Sequence, residues 1–507
     1  MSKVIDMASL TQQDRDAQRR SPYENLQSPV ESVNSLAFEK ANSDPSVVDW
    51  EGPKDVLNPQ NWGPRTKLAH VLLVSSFTLY SNLAAVMFAP GAQYLVKEFE
   101  ITSSMVASLT VSIYVLGYCV GPFLIAPLSE IYGRLAVYHI CNITYEAFTI
   151  GCALSTNASM FLAFRFLAGC AGAAPMAVGG GTIADMYKAD ERGKAMALFS
   201  LGPLLGPVVG PVVGGALTQY SGWRWTFWVI FILAGVVSLI GVVIMRETFE
   251  PILLERKAAY LRKATGNDRL RARTAKNITQ GQLLWRAIAR PTKMLMFSPI
   301  ISLISLYCAF MFGLTYLLYT TFPAVFQVKY GWGPSQAGLA YLGLAIGMIF
   351  GVGLVGAVSD KQVKAAKATG VPARPEIRLL LSVWMAPVVS IGFFWYGWSA
   401  AGDTHWIVPV LGTFVIGFGS FIILMPSQIY LVDAFGAEAS ASALAANTFM
   451  RSLFGAFLPL AGPPLYKGLE LGWGNSLLAF IGIAFVPVPF LFYKYGERLR
   501  ARFPVDY

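Results

Sequence analysis

The sequence predicts an all-α polytopic membrane protein, with twelve transmembrane helices in two six-helix bundles. Three observations carry this. Of 507 residues, 55% are hydrophobic and only 13% charged, and the mean hydropathy is +0.51. A soluble domain carries roughly 25% charged residues, and so apolar a chain is not globally disordered. The apolar residues fall into twelve runs, each near the ~20 residues that a helix needs to cross a bilayer. These runs divide six and six around one long polar, basic stretch.

Residues 1–66 are polar and rich in Ser, Asp, Glu, Asn and Gln, and are expected to form a disordered cytoplasmic tail without a cleavable signal peptide. Spans 1–6 follow at about 68–89, 105–127, 136–155, 160–182, 196–217 and 226–245, forming a bundle over 67–245. A basic cytoplasmic loop covers 246–296. Spans 7–12, at about 297–320, 336–358, 378–400, 406–428, 441–462 and 475–493, form the second bundle over 297–495, and 496–507 is a cytoplasmic tail.

Charge placement tests this layout. With the N-terminus inside, all but six of the 39 Lys and Arg fall in cytoplasmic segments. Lys97, Arg224, Lys329 and Lys467 lie outside, and Arg165 and Arg451 lie within spans. This is the positive-inside asymmetry, and an even span count returns the C-terminus to the cytoplasm. The basic loop could bind nucleic acid, but orientation and attraction to anionic inner-leaflet lipid account for its charge. No nucleic-acid partner is therefore expected.

Cys119, Cys141, Cys152, Cys170 and Cys308 lie in apolar runs, which argues against a disulfide framework. His70, His139 and His405 are far apart, and no close metal-ligand spacing occurs, so no metal is expected. The halves also echo each other: Ala126-Pro-Leu-Ser-Glu130-Ile ends span 2, and Gly356-Ala-Val-Ser-Asp360-Lys ends span 8. Repeats of this kind place a binding site at their interface, near the bilayer midplane.

The segment Gly121-Pro-Phe-Leu-Ile-Ala-Pro-Leu-Ser-Glu-Ile-Tyr-Gly133-Arg134 makes a very short cytoplasmic connection between spans 2 and 3. Gly133 permits a tight turn. Glu130 and Arg134, with Asp360 at the matching place, can make charge-assisted contacts with neighbouring helix ends that hold one orientation of the halves. The alternative is an ordinary polar turn that orients the chain. This segment resembles the span 2–3 signature of the major facilitator superfamily. Further stretches resemble its fungal twelve-span drug:proton antiporters, exporters of multiple drugs and secondary metabolites: Val48-Asp-Trp50, Asn58-Pro-Gln-Asn-Trp62, Arg165-Phe-Leu-Ala-Gly169, Gly202 to Gly215, Arg246-Glu-Thr-Phe-Glu and Ala441 to Ala456. The resemblance covers about 48–495 and implies the major facilitator fold and proton-driven export of amphipathic compounds, drugs or mycotoxins across the plasma membrane. Ile131 and Leu135 stand where that signature usually has basic residues, which thins the lock to Glu130 and Arg134.

Gly202, Gly206, Gly210 and Gly214 of span 5 share one helix face and allow close backbone approach. Pro203, Pro207 and Pro211 each remove a donor and favour a bend. Gly343, Gly347 and Gly351 repeat the small face on span 8, so spans 5 and 8 are expected to cross between the halves. The resemblance gives the span 5 motif an exporter's direction; helix packing alone is the alternative.

Glu146 lies mid-span 3 and Arg165 in span 4. A lone charge at mid-bilayer costs at least about 2.5–3.5 kcal/mol, so each must face protein or water and needs a partner or a shifted pKa. Glu146 is expected to load a proton from outside and Arg165 to tune it; a static pair fixing helix register is the alternative. Thr110, Tyr114 and Tyr118 on span 2, Phe312, Tyr316 and Tyr319 on span 7, Asn82, Gln428 and Asn447 suit a planar or amphipathic ligand, although packing or lipid contact would select the same residues. No GxxxxGK[ST] phosphate loop occurs, so no cofactor and no direct ATP drive is expected. The expected partners are an amphipathic small molecule, protons and the lipid bilayer, with the chain acting as a monomer. The rivals are proton-coupled uptake of a nutrient or polyamine on the same fold, a membrane enzyme lacking any visible catalytic cluster, and a transport-dead sensor.

Overall fold

The structure, a computed structural model, describes residues 46–188, 191–275, 280–368 and 374–502. Spans 1 and 2 are Pro64–Glu98 and Ser104–Ile131. Span 3 is Arg134–Ala153. Spans 4 to 6 are Ala158–Met186, Arg192–Ser221 and Arg224–Ile244, and spans 7 to 10 are Pro299–Tyr330, Pro334–Val358, Pro375–Ala401 and Ile407–Gly436. The remaining helical stretch, Ala439–Arg502, holds two spans, 439–469 and 471–502. Glu470, with φ 57° and ψ −179°, breaks the helix between them.

Ten of these stretches are long and apolar enough to cross a membrane, with Ala439–Arg502 as one of them. Span 3 falls short because Arg134, His139, Asn142 and Glu146 dilute its apolar residues. Twelve membrane-length helices result among the described residues. Several begin on sequence signals for a helix start. Pro64, Pro299 and Pro334 occupy first positions, where a missing N–H costs nothing. Asn157 caps span 4 by accepting from Met160 N at 2.9 Å.

The glycine faces do not do what the sequence alone led us to expect. Gly202 lies against the Ser75 carbonyl, Gly206 against Asn82 and Gly210 against Val86, all on span 1. Gly343, Gly347 and Gly351 likewise lie against span 10, at Val410, Phe414 and Phe418. Both stripes therefore knit helices within a half. Spans 5 and 8 do cross between the halves, through Gly215 against Pro334 and Gly338 against Pro211. Gly215 is one residue past the stripe, about 100° round the helix, and so meets a different neighbour. Spans 2 and 11 form a second seam, where the Phe123 and Phe449 rings lie 5.4 Å apart. At the predicted outer end, Gln327 donates to Pro90 O at 3.5 Å and Ser335 N donates to Gln219 Oε1 at 3.1 Å.

The chain divides into two compact units, a large one over 54–253 and 276–502 and a small one over 46–53 and 254–275. In the small unit the strand Val47–Val48 pairs in parallel with Arg271–Ala272. Val48, Leu254, Ala258 and Ala272 are buried together. Lys257 reaches Glu51 at 3.1 Å and the Asp49 carbonyl at 3.2 Å. This corrects the expected disorder of 1–66 from residue 46 on; residues 1–45 lie outside the described residues. The expected loop 246–296 also carries two helices, Glu250–Thr265 and Gln280–Phe297. Each segment of the small unit has too few apolar residues to bury alone, and only their pairing makes a core.

Candidate functional site

Spans 2 and 4 cross without side chains between them. Gly169 lies against the Tyr114 carbonyl, and Gly117 against the backbone of Gly169 and Cys170. One turn before Gly169, this crossing holds Arg165 level with Val111 and Tyr114. Arg165 donates to Ala84 O at 3.0 Å and Val111 O at 3.4 Å. Its guanidinium stands 4.8 Å from the Tyr114 ring and 5.6 Å from that of Phe227, and the residue is 1% exposed. Ala84 supplies one of the last four carbonyls of the helix Pro64–Met87, which carry the negative end of its dipole.

The alternative reading, a static pair of Arg165 with Glu146, is absent among the described residues. Carbonyl oxygens and aromatic faces satisfy the guanidinium instead. Glu146 keeps a buried Oε1 without a partner, as do Tyr145 OH and Asn142 Nδ2 on the same span and Ser238 Oγ on span 6. Tyr80 donates to Asn142 Oδ1 at 2.9 Å, which ties span 1 to this group.

Beside Arg165 runs a hydroxyl cluster. Ser81 Oγ donates to Gly172 O at 2.5 Å and lies 2.6 Å from Tyr118 OH, while Tyr114 OH donates to Ser81 O at 2.9 Å. Ser81 and Gly172 were not singled out from sequence, because serines and glycines in apolar runs carry no pattern of their own. Of the expected ligand contacts, Thr110, Tyr114 and Asn447 are fully buried. Thr110 bonds its own helix at Ala107 O, and Asn82 bonds its own at Thr78 O. Asn447 Nδ2 reaches Ser305 Oγ at 3.5 Å and so joins spans 11 and 7. Tyr118, Phe312, Asn82 and Gln428 are partly exposed.

Phe312, Tyr316 and Tyr319 form a ladder along span 7, with centroids 4.9 and 5.4 Å apart. Arg451 lies 4.8 Å over the Phe312 ring. Tyr316 is within electrostatic reach of both Arg165 and Arg451, so the two arginines flank one region. No Asp or Glu occurs in 299–358, 377–402, 404–432, 439–469 or 471–496.

The cytoplasmic connection differs from the expected lock. Gly133 has φ 93°, and a side chain there would collide with the Glu247 carboxylate. Glu247 accepts from Arg134 N at 3.0 Å and Leu135 N at 3.2 Å and so caps span 3. Arg134 pairs with Asp185 at 3.2 Å and donates to Ser129 at 2.6 Å. Glu130 is exposed and joins no ion pair among the described residues. The side chain of Asp360 lies outside the described residues. In the second half, Arg378 pairs with Asp433 at the end of span 10 at 3.0 Å, as Arg134 pairs with Asp185 at the end of span 4.

Twelve lipid-length helices, a repeated charge pair and a charged, aromatic seam between two halves define a polytopic membrane carrier. The chain belongs to the Major Facilitator Superfamily, whose sequence model matches residues 72–459. It is 71% identical over 461 residues to the MFS transporter prlG of a fungal species (strain NRRL 50135), covering 91% of this chain and 97% of the relative. It is 52% identical to the Trichosetin biosynthesis cluster MFS transporter of Gibberella fujikuroi, covering 94% and 93%. Among solved structures, the partially occluded inward open xylose transporter XylE from E. coli superposes with TM-score 0.64 at 17% identity, covering 85% of this chain and 98% of that one. A bacterial homologue of the lysosomal transporter Spinster gives TM-score 0.62 at 16% identity, covering 88% and 100%. The protein is a multi-pass membrane transporter of small molecules rather than an enzyme.

Proposed function

We propose that the chain is a proton-coupled antiporter that exports an amphipathic compound, a drug or a fungal secondary metabolite, by alternating access in the plasma membrane. It acts as a monomer with both termini in the cytoplasm. The observation that carries this reading is Glu146, an acid inside a span whose Oε1 is buried without a partner among other unpartnered polar atoms. A carboxyl inside a span with no ion-pair partner to hold it is a group that can carry a proton. Arg165, its terminal nitrogens held by carbonyls, sets the local field rather than pairing with the acid.

The contacts of Gln327 with Pro90 and of Ser335 with Gln219 join the halves at the predicted outer end. They support a state closed to the outside, from which cargo is loaded at the cytoplasmic end. The relative from Gibberella fujikuroi, a biosynthesis-cluster transporter, supports a secondary metabolite as cargo. One proton entering through about 100 mV and one pH unit releases about 2.3 plus 1.4 kcal/mol. That sustains a concentration ratio of roughly 500-fold.

The test is flux in liposomes holding the purified chain and a fluorescent amphipathic probe. An imposed acid jump on the face equivalent to the cell exterior should drive the probe towards that face. No response, or turnover only with nucleotide hydrolysis, overturns the reading. Movement of the probe along with the protons reassigns the chain to uptake, polyamines included.

A further inference from the structure

Two arginines lie within the spans, and they are treated differently. Both terminal nitrogens of Arg165 meet carbonyls. Arg451, among the described residues, makes no hydrogen bond and no ion pair. Its Nε is buried without a partner, although the residue as a whole is partly exposed. Its one neighbour of note is the Phe312 ring, 4.8 Å away. No Asp or Glu occurs in 439–469 around it, nor in 299–358, 377–402, 404–432 or 471–496 of the other spans of this half. Its guanidinium, with five donors and no acceptor, is thus free of protein acceptors among the described residues and open to an anion.

Its position gives that charge a purpose. Gly455, one turn along span 11, lies against Phe312 and against Val115 of span 2. Arg451 therefore stands at the seam where the halves meet. Tyr316, one turn along span 7 from Phe312, is within electrostatic reach of it and of Arg165. A planar guanidinium matches two oxygens of a delocalised oxyanion, and the ring ladder of Phe312, Tyr316 and Tyr319 matches an apolar body.

We propose that Arg451 anchors the negative group of the cargo, so that the transported class is amphipathic organic acids, carrying a carboxylate or similar oxyanion on an apolar skeleton. This rests on the export reading above and names its substrate class.

The test compares acids with their neutral twins. The purified full chain in lipid nanodiscs is titrated with 2-naphthoate against 2-naphthamide and with dodecanoate against dodecanamide. At least one acid should bind about tenfold or more tightly than its amide. Arg451→Gln should erase that difference while leaving amide binding and the unfolding temperature in place, and Arg451→Lys should keep most of it. The inference is overturned if no acid in the panel binds better than its amide, or if Arg451→Gln leaves the preference intact. Chloride alone protecting the chain from heat as well as the acids do also overturns it, by making this an inorganic-anion site. Flux that ignores an acid jump while acid preference persists removes proton coupling and leaves this inference standing. The reverse result removes only the inference.

Discussion

Arg134 meets Asp185 at 3.2 Å where the start of span 3 lies beside the end of span 4, while Glu247 caps the backbone of the same arginine. Four backbone N–H groups, those of Arg134, Leu135, Thr248 and Phe249, converge on the Glu247 carboxylate. Glu247→Ala leaves them without an acceptor in a site that is 4% exposed, at a cost of about 1–3 kcal/mol. Glu130→Ala, at an exposed position, should stay within about 0.5 kcal/mol. Thermal unfolding in detergent distinguishes the two, and equal losses would contradict the assignment of the cap to Glu247.

Gly133→Ala should destabilise the same corner. Its φ of 93° with ψ of 164° lies in a region open essentially to glycine alone and costs an L side chain about 1–3 kcal/mol, and the new methyl meets Glu247 as well. Combining it with Glu247→Ala should give less than the sum of the two losses, because the collision disappears with the carboxylate. Strict additivity of the unfolding temperatures would refute that coupling.

Glu146→Gln should abolish proton-driven flux while leaving expression and cargo binding unchanged. The amide keeps the shape of the side chain and removes its titration. Flux at the native rate under an acid jump would remove Glu146 from the proton path.

Gly206→Val should impair folding or transport, since a Cβ there would lie 2.7 Å from Asn82 Cβ on span 1. Gly235→Val serves as the control, because nothing stands within 4 Å of that glycine. Yield and monodispersity on size exclusion are the readout, with a deficit expected for the first variant alone.

Val48→Glu should open the small unit by placing a charge in the cluster of Leu254, Ala258 and Ala272. Limited proteolysis should then cut between residues 260 and 275 faster than in the native chain. An unchanged cleavage pattern would show that the strand pair does not protect this stretch.

The spans were legible because ~20 apolar residues in a row have few other uses. The helix partners were not. The stripe from Gly202 to Gly214 announces that some backbone comes close, but nothing in it says span 1 rather than span 8. The motif around Glu247 was visible as residues, yet its targets lie 113 and 112 positions earlier in the chain. Arg165 was rightly read as needing company. Its company was not legible, because helix-end carbonyls and ring faces supply negative potential without appearing as charged letters. Two-residue strands such as Val47–Val48 leave no period to detect.

A guanidinium at Arg451 that selects an anionic cargo has an electrical consequence. If one proton enters for each acid that leaves, both movements carry positive charge inward, and each turnover shifts two elementary charges. A potential of about 100 mV then contributes about 4.6 kcal/mol per cycle. Such a carrier generates current, can be read by voltage clamp, and slows when the membrane is depolarised.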